Sequence, residues 1–370
     1  MIGMENTRRD FTFYGTLFIV KSTGGNMNYP ITFNPLYKDY IWGGRKFETL
    51  GKTLPEGIAA ESWEISSHPD GTSIVSNGEY EGKKLDDLVD EFGIELLGTA
   101  LYKGQNTKFP LLIKFIDANR DLSVQVHPDD DYAFINENGE LGKNEMWYIV
   151  DAVPGSRLVL GVKNGITKST FRKALNDGNV SDCLNYIEIK PGDCYNIPAG
   201  LIHAIGAGNI ICEIQQNSNT TYRVYDYDRT DSEGNKRPLH IEKALDVIDF
   251  DAGEGCNTCG LTPNIEDFSR TYLIANDYFA VELLKFQGII NENTEGERFH
   301  CYTVLAGEID INGTVIERGH SCLIPASAGA YAISGNAQVI KSYVPDLEKN
   351  IAAPLKSEGF TREQIESIIG

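Results

Sequence analysis

The chain has 370 residues, with 33 Lys and Arg against 53 Asp and Glu, for a formal net charge of −20. That balance excludes a general nucleic-acid binder, since neutralising phosphates needs clustered cations, and no segment approaches the length of a transmembrane helix. The length accommodates two domains, or one domain with an inserted subdomain.

At the N-terminus, Arg8-Arg9-Asp10-Phe11 precedes a short apolar stretch interrupted by Gly15. The outline is that of a twin-arginine signal, but the stretch is too short and no small-residue cleavage site follows. Residues 1–26 are therefore read as an N-terminal extension. Short apolar runs bounded by Gly, Asn, Asp and Pro predict strands at 109–116, 157–160, 187–189, 210–214 and 280–286. Helical spacing covers 84–97, 170–184 and 239–248. The second of these falls inside the run of strands, which predicts a helical insert at about 162–186. Glu61-Ser62-Trp63-Glu64 is either a stretch of site lining or an ordinary strand.

The chemistry concentrates between residues 122 and 229. Side chains alternate along a strand, so Ser123, Gln125 and His127 share one face, and Leu122, Val124 and Val126 take the other. Eighteen residues on, Gly142-Lys143-Asn144-Glu145 brings a carboxylate to the start of an apolar strand. The run Gly192-Asp-Cys-Tyr-Asn-Ile-Pro198-Ala-Gly200-Leu-Ile-His203 adds a second imidazole. Two imidazoles (His127, His203), the carboxylate of Glu145 and the amide oxygen of Gln125 make an open N/O metal site. Zinc suits it best, with manganese, iron or cobalt as alternatives. Gln125 is the weakest ligand and serves equally to orient a ligand or a water. Lys114 interrupts the apolar strand Leu111-Leu-Ile-Lys-Phe-Ile, where a charge is costly unless it faces a polar pocket.

Further on, Gly319-His-Ser-Cys-Leu-Ile-Pro325-Ala-Ser327-Ala-Gly-Ala330 repeats the Gly-to-Pro spacing but has lost the Gly and His of the first copy. The chain thus reads as mainly β, with two cupin-type jelly-roll barrels of which the first keeps the metal. The boundaries implied are a catalytic barrel at 27–250, a degenerate barrel at 251–346 and a tail at 347–370. His68, His240 and His300 are expected to be core residues, and His320 lies off the ligand position. Seven cysteines, an odd number without a framework, point to a reducing compartment, the cytoplasm. Cys256-Asn-Thr-Cys259 is read as two free thiols in a Gly-rich linker. In the tail, Thr361 and Gln364 form a capping-box start to a short helix carrying Ile365, Ile368 and Ile369.

The runs Ser-Val-Gln-Val-His-Pro-Asp, Gly-Lys-Asn-Glu-Met-Trp and Ile-Pro-Ala-Gly-Leu-Ile-His are similar to those of the type I mannose-6-phosphate isomerases, in their short bacterial form. Ile41-Trp42-Gly43-Gly44 and Asn217-Ser-Asn-Thr-Thr-Tyr-Arg223-Val-Tyr-Asp-Tyr-Asp-Arg229 extend the likeness, which runs from about Pro30 to about Asp346. The resemblance implies a zinc-dependent aldose–ketose isomerase interconverting mannose 6-phosphate and fructose 6-phosphate through a metal-stabilised enediolate. It implies a hexose phosphate as the partner, with no nucleic acid or membrane, and a monomer or homodimer. Arg223 falls at the family's arginine, to hold the enediolate oxygen or the phosphate; its structural alternative is an ion pair with Asp226 or Asp228. Lys114, Ser123 and Lys143 are the other substrate-binding residues. Longer relatives carry an aspartate where this chain has Asn219, which cannot take a proton. Glu213, Lys143 or a metal-bound hydroxide is then the base. A cupin dioxygenase and a catalytically silent sugar-binding cupin are the competing readings; Gln125 in place of a first His argues against the former, and the full ligand set against the latter.

Overall fold

The computed structural model describes residues 27–230 and 233–370, so the expectation for residues 1–26 lies outside the described residues. The fold is mainly β. Six strands form one antiparallel sheet in the order Cys194–Ile197, Glu145–Ala152, Asn209–Gln216, Leu111–Ala118, Glu61–Ile65, Leu36–Lys38. Five form a second: Leu184–Glu188, Arg157–Val162, His203–Ile205, Val124–Val126, Tyr222–Tyr225. Between them lies an apolar layer that includes Ile116, Trp147, Leu158, Ile205 and Ile211.

The six-stranded sheet is covered on both faces. Ile113, Phe115, Met146 and Cys212, on its other side, pack in one cluster with Phe279, Val281, Phe299 and Ile340 from the C-terminal half. This explains why Leu111–Ala118 and Asn209–Gln216 are buried at every position and read as continuous apolar runs rather than alternating ones. Lys114 and Glu213 are directly opposite each other in the register of those two strands. Both take the inner parity, towards the space between the sheets.

Helices cover the outer face of the five-stranded sheet. Phe171 and Leu245, from helices Lys168–Asn176 and Ile241–Val247, pack against Val124, Val159, Tyr222 and Val224. The helix expected over 170–184 is therefore shorter. Gly178, at φ 75°, adopts the left-handed conformation that L side chains disfavour; a 3-10 turn Val180–Cys183 follows, then the strand from Leu184. The first helix, Leu85–Leu97, matches its expected span.

The C-terminal half is an eight-stranded sheet that includes Ala280–Asn293, His300–Ile311, Ser321–Ile324 and Ala330–Tyr343. Its edge recruits Ile31–Asn34 from the start of the described chain, with Ile31 opposite Leu323, so the two halves interlock. The strand expected to end at 286 runs on to Asn293, because pairing with Ala330–Tyr343 continues past the apolar run. The segment read as a linker is partly paired: Asn257 bridges Tyr195, and the Thr258 N–H donates to the Cys194 carbonyl. Cys256 is buried and Cys259 exposed, and all seven cysteines are free. The tail helix Arg362–Glu366 has the expected capping box. Ile351, Leu355, Ile365 and Ile368 bury against Tyr272, Ala275 and Tyr343 of their own half. Among the described residues, no helix is long and apolar enough to cross a membrane.

Candidate metal centre and sugar cavity

His127 follows the Val124–Val126 strand, Glu145 opens its own strand, and His203 opens the next on the opposite sheet. Register places His203 opposite Gln125. Gly142, just before this group, is a place where only glycine fits: a Cβ there would lie 2.4 Å from the Asp129 carbonyl carbon. The close approach lets the Lys143 N–H donate to the Pro128 carbonyl at 3.0 Å. That bond ties the Glu145 strand to the His127 segment.

His127, Glu145 and His203 are all buried, and their ligand atoms lie within 4.8 Å of one another. Nδ1 of His127 donates to the Thr220 carbonyl, and Nδ1 of His203 to that of Leu201, each at 2.8 Å. Both Nε2 lone pairs therefore turn towards Glu145, at 3.3 Å from Oε1 and 3.8 Å from Oε2. Glu145 Oε2 accepts no hydrogen bond although it is buried. Two imidazole lone pairs and a carboxylate face one point, a donor set for a cation that the Lys143 ammonium meets only from the Glu145 Oε1 and His127 side, and second-sphere carbonyls fix the tautomers as metal ligation needs. The donors fit a divalent metal with N/O preference. Gln125 is at the same point, its amide nitrogen 3.4 Å from His203 Nε2; half a turn of the amide presents Oε1 there instead.

Burial holds His203 down to about 3, with His127 beside it adding to the effect. Burial and the Lys143 ammonium likewise lower His127. Both imidazoles are thus neutral, as ligands must be. Burial alone would raise Glu145, but the Lys143 ammonium beside it outweighs burial and holds the carboxyl well below its usual range. Lys143 is ion-paired to Glu145 and donates to His127 Nε2 at 3.3 Å.

A cavity of about 300 Å³ opens from this group and is lined by Lys114, Ser123, Gln125, Lys143, Glu145, Glu213 and Arg223. Every proposed site residue except the two imidazoles borders it, and those lie against Glu145, which does. Glu213 is fully enclosed, 3.5 Å from Lys114 and 3.8 Å from Lys143, and its Oε1 accepts no hydrogen bond. Burial, reinforced by the nearby Glu145 charge, raises its carboxyl well above the usual range. Lys114 also stands 3.7 Å from Glu61. Glu61 therefore lines the site, whereas Glu64 turns away to Lys52 at 2.8 Å.

Arg223 makes neither of the ion pairs considered for it. Its Nε donates to Ser123 Oγ at 3.2 Å and its Nη1 to the Pro238 carbonyl at 3.0 Å. Asp226 instead receives Arg229 and Arg237, and Asp228 receives Lys236. His240 is not a core residue: it borders the cavity and accepts the Arg223 backbone N–H at 3.2 Å. His68 and His300 are buried as expected. Asn219 lines the cavity and donates to Asp70 Oδ2 at 2.7 Å. Arg237, Tyr40 and Trp147 are cavity residues that the sequence did not single out. Trp147 sits on the inner parity of the Glu145 strand, which was a usable signal; Arg237 lies outside any strand and gave none.

Residues 31–148 match the family model for the phosphomannose isomerase type I catalytic domain, and residues 269–344 that for the mannose-6-phosphate isomerase cupin domain. The probable mannose-6-phosphate isomerase GmuF of Bacillus subtilis (strain 168) is 38% identical, over 86% of this chain and 100% of that protein. The chain belongs to the type I phosphomannose isomerases. The crystal structure of the mannose 6-phosphate isomerase from Bacillus subtilis superposes with a TM-score of 0.76 at 34% identity, covering 85% of this chain and 99% of that one. A mannose 6-phosphate isomerase bound with zinc and yttrium shares the fold, with a TM-score of 0.67 at 16% identity, covering 85% of this chain and 99% of that one. Membership sets aside the dioxygenase and silent-cupin readings.

Proposed function

We propose that the family's reaction, interconversion of mannose 6-phosphate and fructose 6-phosphate, proceeds here through an enediolate, with Glu213 carrying the proton between C2 and C1. The observation that carries this is the Glu213 carboxyl in the cavity wall, flanked by Lys114 and Lys143 with an oxygen that accepts no hydrogen bond, and raised by burial and by Glu145. A carboxyl tuned upward is suited to taking and returning a proton near neutrality. Lys114 and Lys143 flank it, so the charge it gains on losing its proton is met by two ammonium groups.

His127, Glu145 and His203, with Gln125 through its amide oxygen, would hold the metal. Zinc is favoured by the donor set and by the zinc-bound relative of the same fold. A dication held there would supply Lewis acidity to an enediolate reaction. Arg223, anchored by Ser123 and the Pro238 carbonyl, presents a fixed positive charge to an anionic group of the bound sugar phosphate. Lys143 orients Glu145 and donates from the cavity wall. Trp147 borders the same cavity, and its buried Nε1, without a partner among the described residues, suits a sugar hydroxyl.

The division proposed for the chain is a catalytic part at 27–250, a degenerate cupin part at 251–346 and a tail at 347–370, with the cytoplasm as its compartment. The test is mannose 6-phosphate turnover by the purified protein, coupled to detection of fructose 6-phosphate. Turnover is expected; its absence in folded, zinc-loaded protein overturns the reading.

A further inference from the structure

The cavity has two ends with opposite charge balance. At the inner end, Lys114 and Lys143 face three carboxylates, Glu61, Glu145 and Glu213, at ion-pair distances. Their charge is already committed. Nearer the surface, Arg223 and Arg237 both border the cavity, and the adjacent carboxylate, Asp226, is ion-paired to Arg237 and to Arg229, leaving Arg223 without a carboxylate partner among the described residues. A surplus of positive charge therefore sits at one end of a cavity in a chain whose net charge is −20. Such a surplus in a partly enclosed cleft focuses the field for an anion.

The details favour a built anion site over an accidental cluster. Arg237 gives Nε to Asp226 Oδ2 at 2.8 Å and Nη2 to Oδ1 at 2.5 Å. This two-point bond fixes the plane of the guanidinium and leaves Nη1 without a protein acceptor among the described residues. Arg223 is held through Nε and Nη1, which leaves Nη2 in the same condition. The carbonyl that receives Arg223 Nη1 is that of Pro238, the residue after Arg237, so one backbone tie sets the two arginines side by side on the cavity wall. Burial, and next the repulsion of Arg237, lower the pKa of Arg223; an anion between them relieves that repulsion. Arg229 is turned away, to Asp226 and the Asp121 carbonyl, and does not border the cavity.

We infer that Arg237, oriented by Asp226, holds the phosphate of the substrate together with Arg223, and that Lys114 and Lys143 do not. The inference rests on the isomerase reading for the identity of the anion, but the site itself is defined by charge and geometry. The C6 phosphate lies at the far end of the sugar from C1 and C2, and Arg237 is a quarter exposed where Glu213 is fully enclosed, so Arg237 stands nearer the cavity mouth. Arginine also matches phosphate better than lysine does, by offering paired donors in a fixed fork.

The experiment uses zinc-loaded full-length protein and two probes. Inorganic phosphate is titrated calorimetrically into wild type, Arg237→Gln and Arg237→Lys, and the same proteins are assayed with mannose 6-phosphate. The inference expects Arg237→Gln to weaken phosphate binding and raise KM by tenfold or more, with kcat within a few-fold of wild type, and Arg237→Lys to fall between. Unchanged phosphate affinity and KM in Arg237→Gln overturn it. So does a fall in kcat with KM unmoved, which would place the guanidinium at the reacting carbons. Arg237-dependent phosphate binding in a protein without isomerase activity would uphold the anion site while refuting the isomerase reading.

Discussion

Glu213→Gln is the most informative single substitution for the proposed chemistry. It exchanges one oxygen for an NH2 group at a fully buried position, so the shape of the wall is kept. Neither neighbouring ammonium is stranded, since Lys114 retains Glu61 and Lys143 retains Glu145. The fold is therefore expected to survive, with a stability loss of about 1–3 kcal/mol from the weakened polar contacts. A positioned general base contributes about 10²–10⁴ in rate, so kcat is expected to fall by that factor. This corresponds to about 3–5 kcal/mol on the barrier, at about 1.36 kcal/mol per decade. KM should stay within a few-fold, because the amide still fills the same space. The assay pairs steady-state turnover with NMR in deuterated water, following exchange of the transferred hydrogen with solvent. Wild type should place solvent deuterium in product, and the variant should lose exchange and turnover together. A kcat within about threefold of wild type would refute Glu213 as the base, general acid–base effects being larger than that. Wild-type product free of solvent deuterium, with direct hydride transfer demonstrated, would refute the enediolate route altogether.

Gly142→Ala tests whether backbone contact positions the centre. The added Cβ would meet the Asp129 carbonyl carbon at 2.4 Å, forcing the strap that carries Lys143 and Glu145 to move. A displacement on the order of 1 Å at a reacting group can cost about 10²-fold, so kcat/KM should drop by at least tenfold; wild-type activity would contradict the geometry. His300 tests the C-terminal half through pH. Burial lowers its pKa well below 6.5, with Lys341 as the next cause, so the unfolded chain takes up the proton first. Its stabilising contribution is therefore complete above pH 6.5 and is lost as pH falls below it, by up to about 1.4 kcal/mol per pH unit. His300→Asn should show a shallower loss of stability than wild type in urea melts between pH 7 and 5, and parallel slopes would contradict this.

The grouping of the candidate metal ligands was legible in part because strand alternation fixes faces. Ser123, Gln125 and His127 fell on one face with Val124 and Val126 on the other, and the structure puts those valines in the helix-covered core. Lys114 and Glu213 were legible for a related reason, as charges inside runs otherwise wholly apolar. The outer rim was not legible. Arg237 lies in irregular chain where no periodicity assigns a face, and three arginines near one aspartate do not reveal in sequence which one the aspartate takes. The structure gives Asp226 to Arg229 and Arg237 and frees Arg223 for Ser123. The recruitment of Ile31–Asn34 into the C-terminal sheet was equally hidden, because strand pairing across nearly the whole chain leaves no local trace. The helix at 168–176 was overextended because its apolar spacing continued past Gly178, whose positive φ ends it.

The account stands most directly on the claim that His127, Glu145 and His203 hold a dication on which turnover depends. Metal content and mannose 6-phosphate turnover should be measured on the same preparation before chelation, after it, and after zinc is restored, alongside His203→Ala. The account predicts one ion per chain, activity lost with the ion and regained with it, and neither retained by the folded variant. Full activity in folded, metal-free wild type, or equal metal retention by His203→Ala, would contradict it.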